Sequence, residues 1–153
     1  PNQSWVLKHE LTKIPFFGSA LRMSKPIAID RSSGRQAVKQ IIHQGVSALN
    51  EGRWVVIFPE GTRVAPGKKK KYGIGGALLA EKSGFPIIPV AHNAGIFWQR
   101  RGLKKYPGTI HVVIGNPIDT TGKKAKDIIK EVENWVESSV SRLPSSIQDQ
   151  HRH

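Results

Sequence analysis

Short apolar runs alternate with longer stretches of helical periodicity along the chain. The apolar runs predict strands at residues 5–8, 26–29, 53–58, 86–91 and 109–114. Valine and isoleucine dominate the middle runs, which is typical of strands buried on both faces. Strands that alternate with helices predict an α/β domain, in which a largely parallel sheet is flanked by helices.

Apolar residues at helical spacing predict helices in three places. The first helix covers residues 34–51 and the second residues 74–83; Gly52 and Gly84 follow them, and glycine favours the left-handed conformation that ends many helices. The third helix ends at Pro144 and carries one apolar stripe, formed by Ile128, Ile129, Val132, Trp135, Val136 and Val140. We expect this stripe to pack on the sheet rather than lie on a membrane, because the outer face is mixed in charge.

The segment 58–63, Phe-Pro-Glu-Gly-Thr-Arg, directly follows the apolar run of the third strand. Ligands collect at strand ends in α/β sheets, and glycine lets the backbone approach an anion closely. Arg63 adds a planar guanidinium fork that matches phosphate oxygens in two hydrogen bonds. The segment therefore predicts a site for a phosphorylated ligand. The alternative is a surface turn in which Glu60 and Arg63 merely pair with each other.

Further sequence blocks surround this segment in a fixed order. They are the strand 26–31 that ends in Asp-Arg, the proline-bracketed strand 86–90, the glycine-started helix at 75–77, and the run from 6–11 through 14–18. Together the blocks cover about residues 5–117. In this order they resemble the 1-acyl-sn-glycerol-3-phosphate acyltransferases.

The resemblance implies a reaction, its partners and a place in the cell. The reaction is transfer of a fatty acyl group from acyl-CoA or acyl carrier protein to lysophosphatidate, which gives phosphatidate for phospholipid biosynthesis. Apart from the acyl donor, the resemblance implies no cofactor and no metal. It also implies a glycerol-phosphate acyltransferase-like fold that acts at the cytoplasmic face of an anionic membrane.

The same resemblance assigns substrate binding to Lys8, Arg31, Glu60, Gly61, Thr62 and Arg63. Arg63 would hold the glycerol phosphate, and Arg31 would be a second clamp on it. Arg31 could instead form a local ion pair with Asp30. Lys8 is similar to a lysine of the family's substrate pocket, and its alternative is an ordinary solvated lysine.

The acidic and small residues of the turn would have different roles. Glu60 would accept a hydrogen bond from the glycerol hydroxyl, or orient Arg63, because a carboxylate does not bind phosphate itself. Gly61 and Thr62 would shape the turn, and Thr62 would donate to the anion. Groups of this kind raise a transfer rate by positioning the substrate, but they do not replace a base.

The catalytic block of the resemblance is missing from the chain. In the family a His-x-x-x-x-Asp block supplies the base that takes the proton from the glycerol hydroxyl. The positions at that spacing from His9, His43, His92 and His111 hold Ile14, Ala48, Phe97 and Asn116. We therefore expect no catalytic residue here, and an N-terminally truncated acyltransferase domain at residues 1–144 that is inactive alone. A noncatalytic phospholipid-binding pseudoenzyme is the alternative. The polar composition of residues 145–153 predicts a disordered tail.

The charge balance widens the range of possible partners. Lysine and arginine number 24 against 11 acidic residues, which gives a formal charge of +13 over 153 residues. This excess attracts nucleic acid, an anionic membrane, an acidic carrier protein or a phosphorylated substrate. The lack of cysteine excludes disulfides and thiolate metal sites. No apolar stretch reaches the roughly 18 residues of a membrane span, so we expect membrane contact to be peripheral or made by an upstream anchor.

Some basic stretches leave alternatives open. The lysine run at 68–71 is either a solvated flexible loop or a surface for an anionic leaflet, an acidic carrier protein or the phosphates of coenzyme A. The stretch 93–107 mixes Phe97 and Trp98 with Arg100 and Arg101, and it either touches lipid headgroups or covers a sheet edge. A basic nucleic-acid-binding module is a further alternative. We expect no nucleic acid partner, because the aromatic residues are scattered and do not interleave with the charge.

Overall fold

The computed structural model of the chain describes residues 2–98 and 104–144. The strands are β1 (Gln3–Lys8), β2 (Ile27–Ile29), β3 (Trp54–Val56), β4 (Val90–His92) and β5 (Val112–Ile114). The α-helices are α1 (Phe17–Met23), α2 (Arg35–Asn50), α3 (Gly75–Ser83), α4 (Ala94–Phe97) and α5 (Ala125–Val140), and 3-10 helices span His9–Lys13 and Arg31–Ser33. The predicted tail at 145–153 lies outside the described residues, as do Arg100 and Arg101.

The main sheet has the order β2-β1-β3, and both of its strand pairs are parallel. Val6 of β1 pairs with Ile27, and Trp5 pairs with Val56 on the other side. Helix α2 connects β2 to β3, which is the crossover that parallel strands require. The predicted α/β fold, a parallel sheet flanked by helices, is confirmed for these strands.

The strand pattern had predicted one largely parallel sheet, but the last two strands do not join the main sheet. Instead β4 and β5 form a separate antiparallel pair in which Ala91 lies opposite Val113. The only helix described between them is α4, which is four residues long and too short to serve as a crossover. Strand β4 also starts later than predicted, because Pro89 has no N–H to donate to a neighbouring strand.

One face of the main sheet forms the core with α2 and α3. Its buried members are Val6, Ile27, Ile29, Ile41, Ala48 and Leu79. Helices α2 and α3 approach closely at Gly45, where a Cβ would overlap the side chain of Leu79. The predicted helix ends are confirmed, since Gly52 and Gly84 have φ angles of 75° and 72°.

Helix α5 packs inward, as its apolar stripe predicts. Ile128 and Val132 are buried in a second cluster with Ala77 of α3, Ile118 and Ala125. The helix also contacts β4. The stripe from Ile128 to Val136 therefore packs into the protein, whereas Val140 at its end is 41% exposed. For the packed part, the alternative of a helix lying on a membrane is wrong.

The opposite face of the main sheet is open in the described part of the chain. Trp5, Trp54 and Phe58 lie on this face with 40%, 53% and 52% of their surface exposed. The rings of Trp5 and Phe58 lie 5.8 Å apart between centroids. The prediction that the middle strand is buried on both faces is therefore wrong for β3, because the described helices that contact it pack on the other face.

A compact projection, not predicted from the sequence, lies between β1 and β2. It comprises residues 9–25, which we call the wedge: the 3-10 helix His9–Lys13, a short connection, and α1 packed against it. A Cβ at Gly18 would overlap the carbonyl of Thr12, so only glycine permits this contact. Arg22 braces it by donating to the Thr12 carbonyl at 2.8 Å and to the Ser19 hydroxyl at 2.9 Å.

Candidate substrate site

The turn that follows β3 is shaped by its glycine. Gly61 has a φ of 68°, a left-handed conformation that strains any residue with a side chain. Its N–H donates to the carbonyl of Phe58 at 3.0 Å, and the N–H of Gly73 donates to the carbonyl of Pro59 at 2.7 Å. The segment 58–63 is thus held between the end of β3 and the loop that precedes α3.

A cleft of about 420 Å³ opens beside this turn. Its apolar wall comes from β1, the end of β2, the start of α2 and the turn, through Val6, Ile29, Ala37 and Phe58. Its polar lining comes from Glu60, Gly61, Lys70 and Lys71. The volume lies in the range of about 300–1,000 Å³ that small-molecule sites occupy. Two cationic side chains beside apolar walls suit an anionic head group with an apolar extension.

The residues assigned from the sequence fall into two groups. Glu60 and Gly61 line the cleft, whereas Lys8, Thr62 and Arg63 are not part of its lining. Lys8 ends β1 and forms an exposed ion pair with Glu10, at 2.8 Å between Nζ and Oε1. This pairing lowers the pKa of Glu10, chiefly through the hydrogen bond from Lys8.

Arg31 follows β2 in the 3-10 helix Arg31–Ser33, and its side chain lies outside the described part of the structure. The carboxylate of the preceding Asp30 accepts from the N–H of Ser32 at 2.9 Å and from its hydroxyl. These bonds, led by the one from the hydroxyl, lower the pKa of Asp30. Asp30 therefore caps this 3-10 helix, and the second phosphate clamp at Arg31 stays a prediction.

Arg63 stacks on the indole of Trp98. The guanidinium carbon lies 4.9 Å from the ring centroid, and Lys105 places its ammonium 4.5 Å from the same ring. No Glu60–Arg63 ion pair occurs in the described residues, so the alternative of a mutually paired turn is wrong. Stacking occupies the face of a guanidinium and leaves the N–H donors at its edge available for an anion.

The lysine loop, residues 67–73, is anchored to α5. Tyr72 is only 6% exposed, and its hydroxyl donates to Oε1 of Glu137 at 3.2 Å. Lys69 contacts the other oxygen of Glu137 at 3.4 Å. The lysines are exposed, as a solvated loop requires. The loop nevertheless has fixed attachments, and they hold Lys70 and Lys71 at the cleft.

Burial and neighbouring charge shift the pKa values of two side chains in this region, Glu60 and Tyr72. The pKa of Glu60 is raised, first by burial and then by the negative charge of Glu137, while Lys70 opposes the shift. The pKa of Tyr72 is also raised, by burial and then by Glu137 and Glu60. Tyr72 therefore stays neutral and can keep donating its proton to Glu137. Glu60 takes up a proton more readily than a solvated glutamate does.

Sequence reasoning missed the cleft lysines as lining residues and missed their attachment to α5. The position of the lysines could have been inferred from Tyr72, which directly follows the lysine run, because an aromatic side chain there needs a place to be buried. The partner of that tyrosine is 65 residues away in the sequence, and no local pattern points to it. The stacking of Arg63 on Trp98 likewise joins segments that are separate in the chain.

The described residues meet neither the requirements of a metal site nor those of a membrane-spanning helix, and one histidine among them, His92, contacts the start of a helix. They contain no group of three or more His, Cys, Asp or Glu side chains placed so that it could hold a metal ion. None of their helices combines the length and the apolar character that crossing a bilayer takes. His92 accepts from the N–H of Ala94 at 3.2 Å through Nδ1, so it supports the start of α4.

Known proteins match the chain in sequence and in fold. The family model of the acyltransferases matches residues 1–93. A 1-acyl-sn-glycerol-3-phosphate acyltransferase of Pseudomonas aeruginosa is 46% identical over 153 residues, which cover 98% of this chain and 59% of the relative. The enzyme of that name from Helicobacter pylori is 33% identical over 115 residues, covering 74% of this chain and 48% of the relative.

A solved structure matches as well. The crystal structure of the 1-acyl-sn-glycerophosphate acyltransferase PlsC from Thermotoga maritima aligns with a TM-score of 0.74 at 25% identity, over 92% of this chain and 56% of that one. The chain thus spans only about half of the length of the relatives that it matches. Because the family model covers most of the chain and the fold agrees, this chain belongs to the acyltransferase family.

Proposed function

We propose that this chain is the acceptor-binding part of a 1-acyl-sn-glycerol-3-phosphate acyltransferase. The reaction would transfer a fatty acyl group from acyl-CoA or acyl carrier protein to the free hydroxyl of lysophosphatidate, forming phosphatidate. The names of the relatives suggest this reaction. The observation that carries the proposal is the cleft at the end of β3, where a glycine turn, lysines and an apolar wall meet.

The phosphate of the acceptor would bind on the cationic side of the turn. Arg63 is exposed, is oriented by Trp98, and has no salt bridge in the described residues that would compete with a ligand. Its fork can give two parallel hydrogen bonds to phosphate oxygens, and charge-assisted bonds are the stronger kind. Lys70 and Lys71, which line the cleft, would add positive charge near the turn. Arg31 and Lys8 are proposed as secondary contacts.

The glycerol hydroxyl would meet Glu60. Its carboxylate lines the cleft and is half-buried, so it can accept a hydrogen bond from a hydroxyl in a partly dry environment. Gly61 and Thr62 would fix the approach of the backbone to the ligand. The apolar wall formed by Val6, Ile29 and Phe58 would contact the start of the acyl chain.

Binding and turnover would separate in this chain. Acyl transfer needs a base for the hydroxyl proton, and no histidine here has the aspartate that orients it in the His-x-x-x-x-Asp arrangement. We therefore propose that the chain alone binds the acceptor without acylating it. We further propose that it does so at the cytoplasmic face of a membrane and without a metal or redox cofactor.

Titration calorimetry with glycerol 3-phosphate, the head group of lysophosphatidate, tests the proposal. We expect saturable binding by the wild-type chain, weakened by Arg63→Ala and unchanged by Lys82→Ala, which removes an exposed lysine of α3. Equal losses from both variants would mean nonspecific charge binding and would refute the site. Phosphatidate formation from lysophosphatidate and acyl-CoA by this chain would refute the claim that it is inactive alone.

A further inference from the structure

The wedge carries the most exposed large apolar side chains in the described part of the chain. Phe16 is 94% exposed and Met23 86%, and Phe17 beside them is 53% exposed. Exposed apolar residues scattered singly are ordinary, but several in one short segment point to an interaction surface. All three side chains belong to one short unit, α1 and the residue before it.

Apart from Glu10, which pairs with Lys8, the charged residues of the wedge are basic. Between Glu10 and Asp30 the sequence contains no acidic residue, while it contains Lys13, Arg22 and Lys25. Lys13 and Lys25 are exposed and form no salt bridge with the described residues. Aromatic and apolar residues flanked by cations are the composition of segments that lie in the interface of an anionic bilayer.

The wedge is also preformed. The contact of Gly18 with Thr12 and the two hydrogen bonds from Arg22 hold α1 on the 3-10 helix. At its far end the carbonyl of Lys25 accepts from the hydroxyl of Ser4 at 2.8 Å, which ties the wedge to β1. Phe16 has a φ of 61°, a backbone conformation that residues with side chains rarely adopt. A surface that is already ordered loses little conformational entropy on binding.

We propose that the wedge inserts into the interface of an anionic bilayer. Phe16, Phe17 and Met23 would enter the boundary between head groups and acyl chains, and Lys13 and Lys25 would contact lipid phosphates. The lysine loop is the competing membrane contact, but Glu137 anchors it, and two of its four lysines, Lys70 and Lys71, line the cleft. This inference rests on the proposed function, since it takes the acceptor to be a membrane lipid.

A single fluorescent label can test where the bilayer is touched. The chain has no cysteine, so Met23→Cys provides one attachment point for a polarity-sensitive dye. Asn134→Cys is the matched control, because this residue is exposed on α5, which packs on α3 and β4. With vesicles rich in phosphatidylglycerol, we expect a blue shift at position 23 that acyl-chain quenchers remove, and no change at position 134.

Each other outcome overturns the inference. Vesicle-bound protein with an unchanged dye at position 23 would place the contact elsewhere, such as the lysine loop. A blue shift that grows with protein concentration before vesicles are added would mean that a second copy covers the wedge. A blue shift in dilute protein without vesicles would mean that another part of the polypeptide covers it. Failure to bind vesicles at all would remove the membrane as the partner.

Substitutions give an independent measure and separate this inference from the proposed function. Phe16→Ser with Met23→Ser should lower vesicle binding by at least about ten-fold, because both side chains lose their burial in lipid. Ile110→Ser, at a residue 51% exposed outside the wedge, should change it little. Lys13→Gln with Lys25→Gln should lower binding by about five-fold per lysine, on anionic vesicles only. All of these variants should bind glycerol 3-phosphate as the wild-type chain does. If the wild-type chain did not bind glycerol 3-phosphate, that result would refute the proposed function and not the membrane contact of the wedge.

Discussion

The cleft and the wedge are both basic, but their cations have different neighbours. At the cleft, Lys70 and Lys71 stand beside Glu60 and an apolar wall that faces a cavity, and Tyr72 fixes their loop to α5. At the wedge, Lys13 and Lys25 flank side chains that face solvent. A cavity can enclose a small head group, whereas an exposed apolar projection can enter a surface.

Net charge alone therefore does not identify the partner of a basic protein. The formal charge of +13 attracts every polyanion, and its distribution decides which one is held. Variants that affect one region and leave the other intact test this distinction. The Arg63 variants and the Lys70–Lys71 double variant are therefore to be measured in two assays, glycerol 3-phosphate titration and vesicle binding.

Arg63→Ala, in the turn beside the cleft, should have the largest effect on head-group binding. It removes a two-pronged, charge-assisted contact to phosphate, and we expect the head-group affinity to fall by about ten- to hundred-fold. Arg63→Lys should recover part of the loss, because it restores charge without the fork. Vesicle binding should stay near the wild-type value. A loss no larger than that of Lys82→Ala would exclude Arg63 as the phosphate ligand.

Removing both cleft lysines should have a smaller effect. Lys70→Ala with Lys71→Ala removes charge from exposed, flexible side chains, so we expect about a five- to ten-fold loss of head-group affinity. The loss should shrink as salt is added, because exposed charges are screened. If the double variant instead lost vesicle binding and kept head-group binding, the roles of the lysine loop and the wedge would be exchanged.

Tyr72→Phe should have a modest effect in the same direction. The ring stays buried while the hydrogen bond to Glu137 is lost, which costs about 1 kcal/mol of stability and loosens the loop. We expect head-group affinity to fall by about two- to five-fold, through a weaker positioning of the lysines. Tyr106→Phe is the control, since Tyr106 is 43% exposed. An unchanged affinity in a destabilised Tyr72→Phe variant would show that the link is purely structural.

Glu60→Gln should give the smallest change, with a defined dependence on pH. The pKa of Glu60 is raised above its ordinary 4.5 in the folded chain, so the ionised form is disfavoured there relative to the unfolded chain. Glu60→Gln should therefore be the more stable protein at neutral pH. The difference should shrink as the pH falls below the raised pKa, and it should vanish below the ordinary pKa of 4.5 that Glu60 has in the unfolded chain. Urea unfolding of both proteins across this range measures it, and a wild type that is more stable at neutral pH would contradict the assignment.

The sequence predicted the elements whose signals are local and long. Helices α2 and α5, each 16 residues long, carry several turns of apolar periodicity, and α3 ends at a glycine. Helix α1 has seven residues and depends on the approach of Gly18 to Thr12, which no periodicity reports. The antiparallel pairing of β4 and β5 was missed because strand direction follows from how the connection folds, and strand pattern does not contain it.

Only part of the candidate site was predicted, because only part of it has a local sequence signal. Glu60 and Gly61 belong to a contiguous motif at a strand end, and they do line the cleft. The lining by Lys70 and the support of Arg63 by Trp98 arise from contacts between distant segments. Sequence patterns show what residues are able to do. Tertiary contacts determine which of them meet.

The most direct test of the central claim is an amide chemical-shift titration of the 15N-labelled chain with glycerol 3-phosphate. We expect saturable shifts concentrated at Gly61, Thr62 and the neighbouring residues of the turn after β3, and their loss in Arg63→Ala. The wedge amides should not move. Shifts spread evenly over exposed lysines on all surfaces, and unchanged in Arg63→Ala, would contradict the claim that the turn after β3 holds the phosphate.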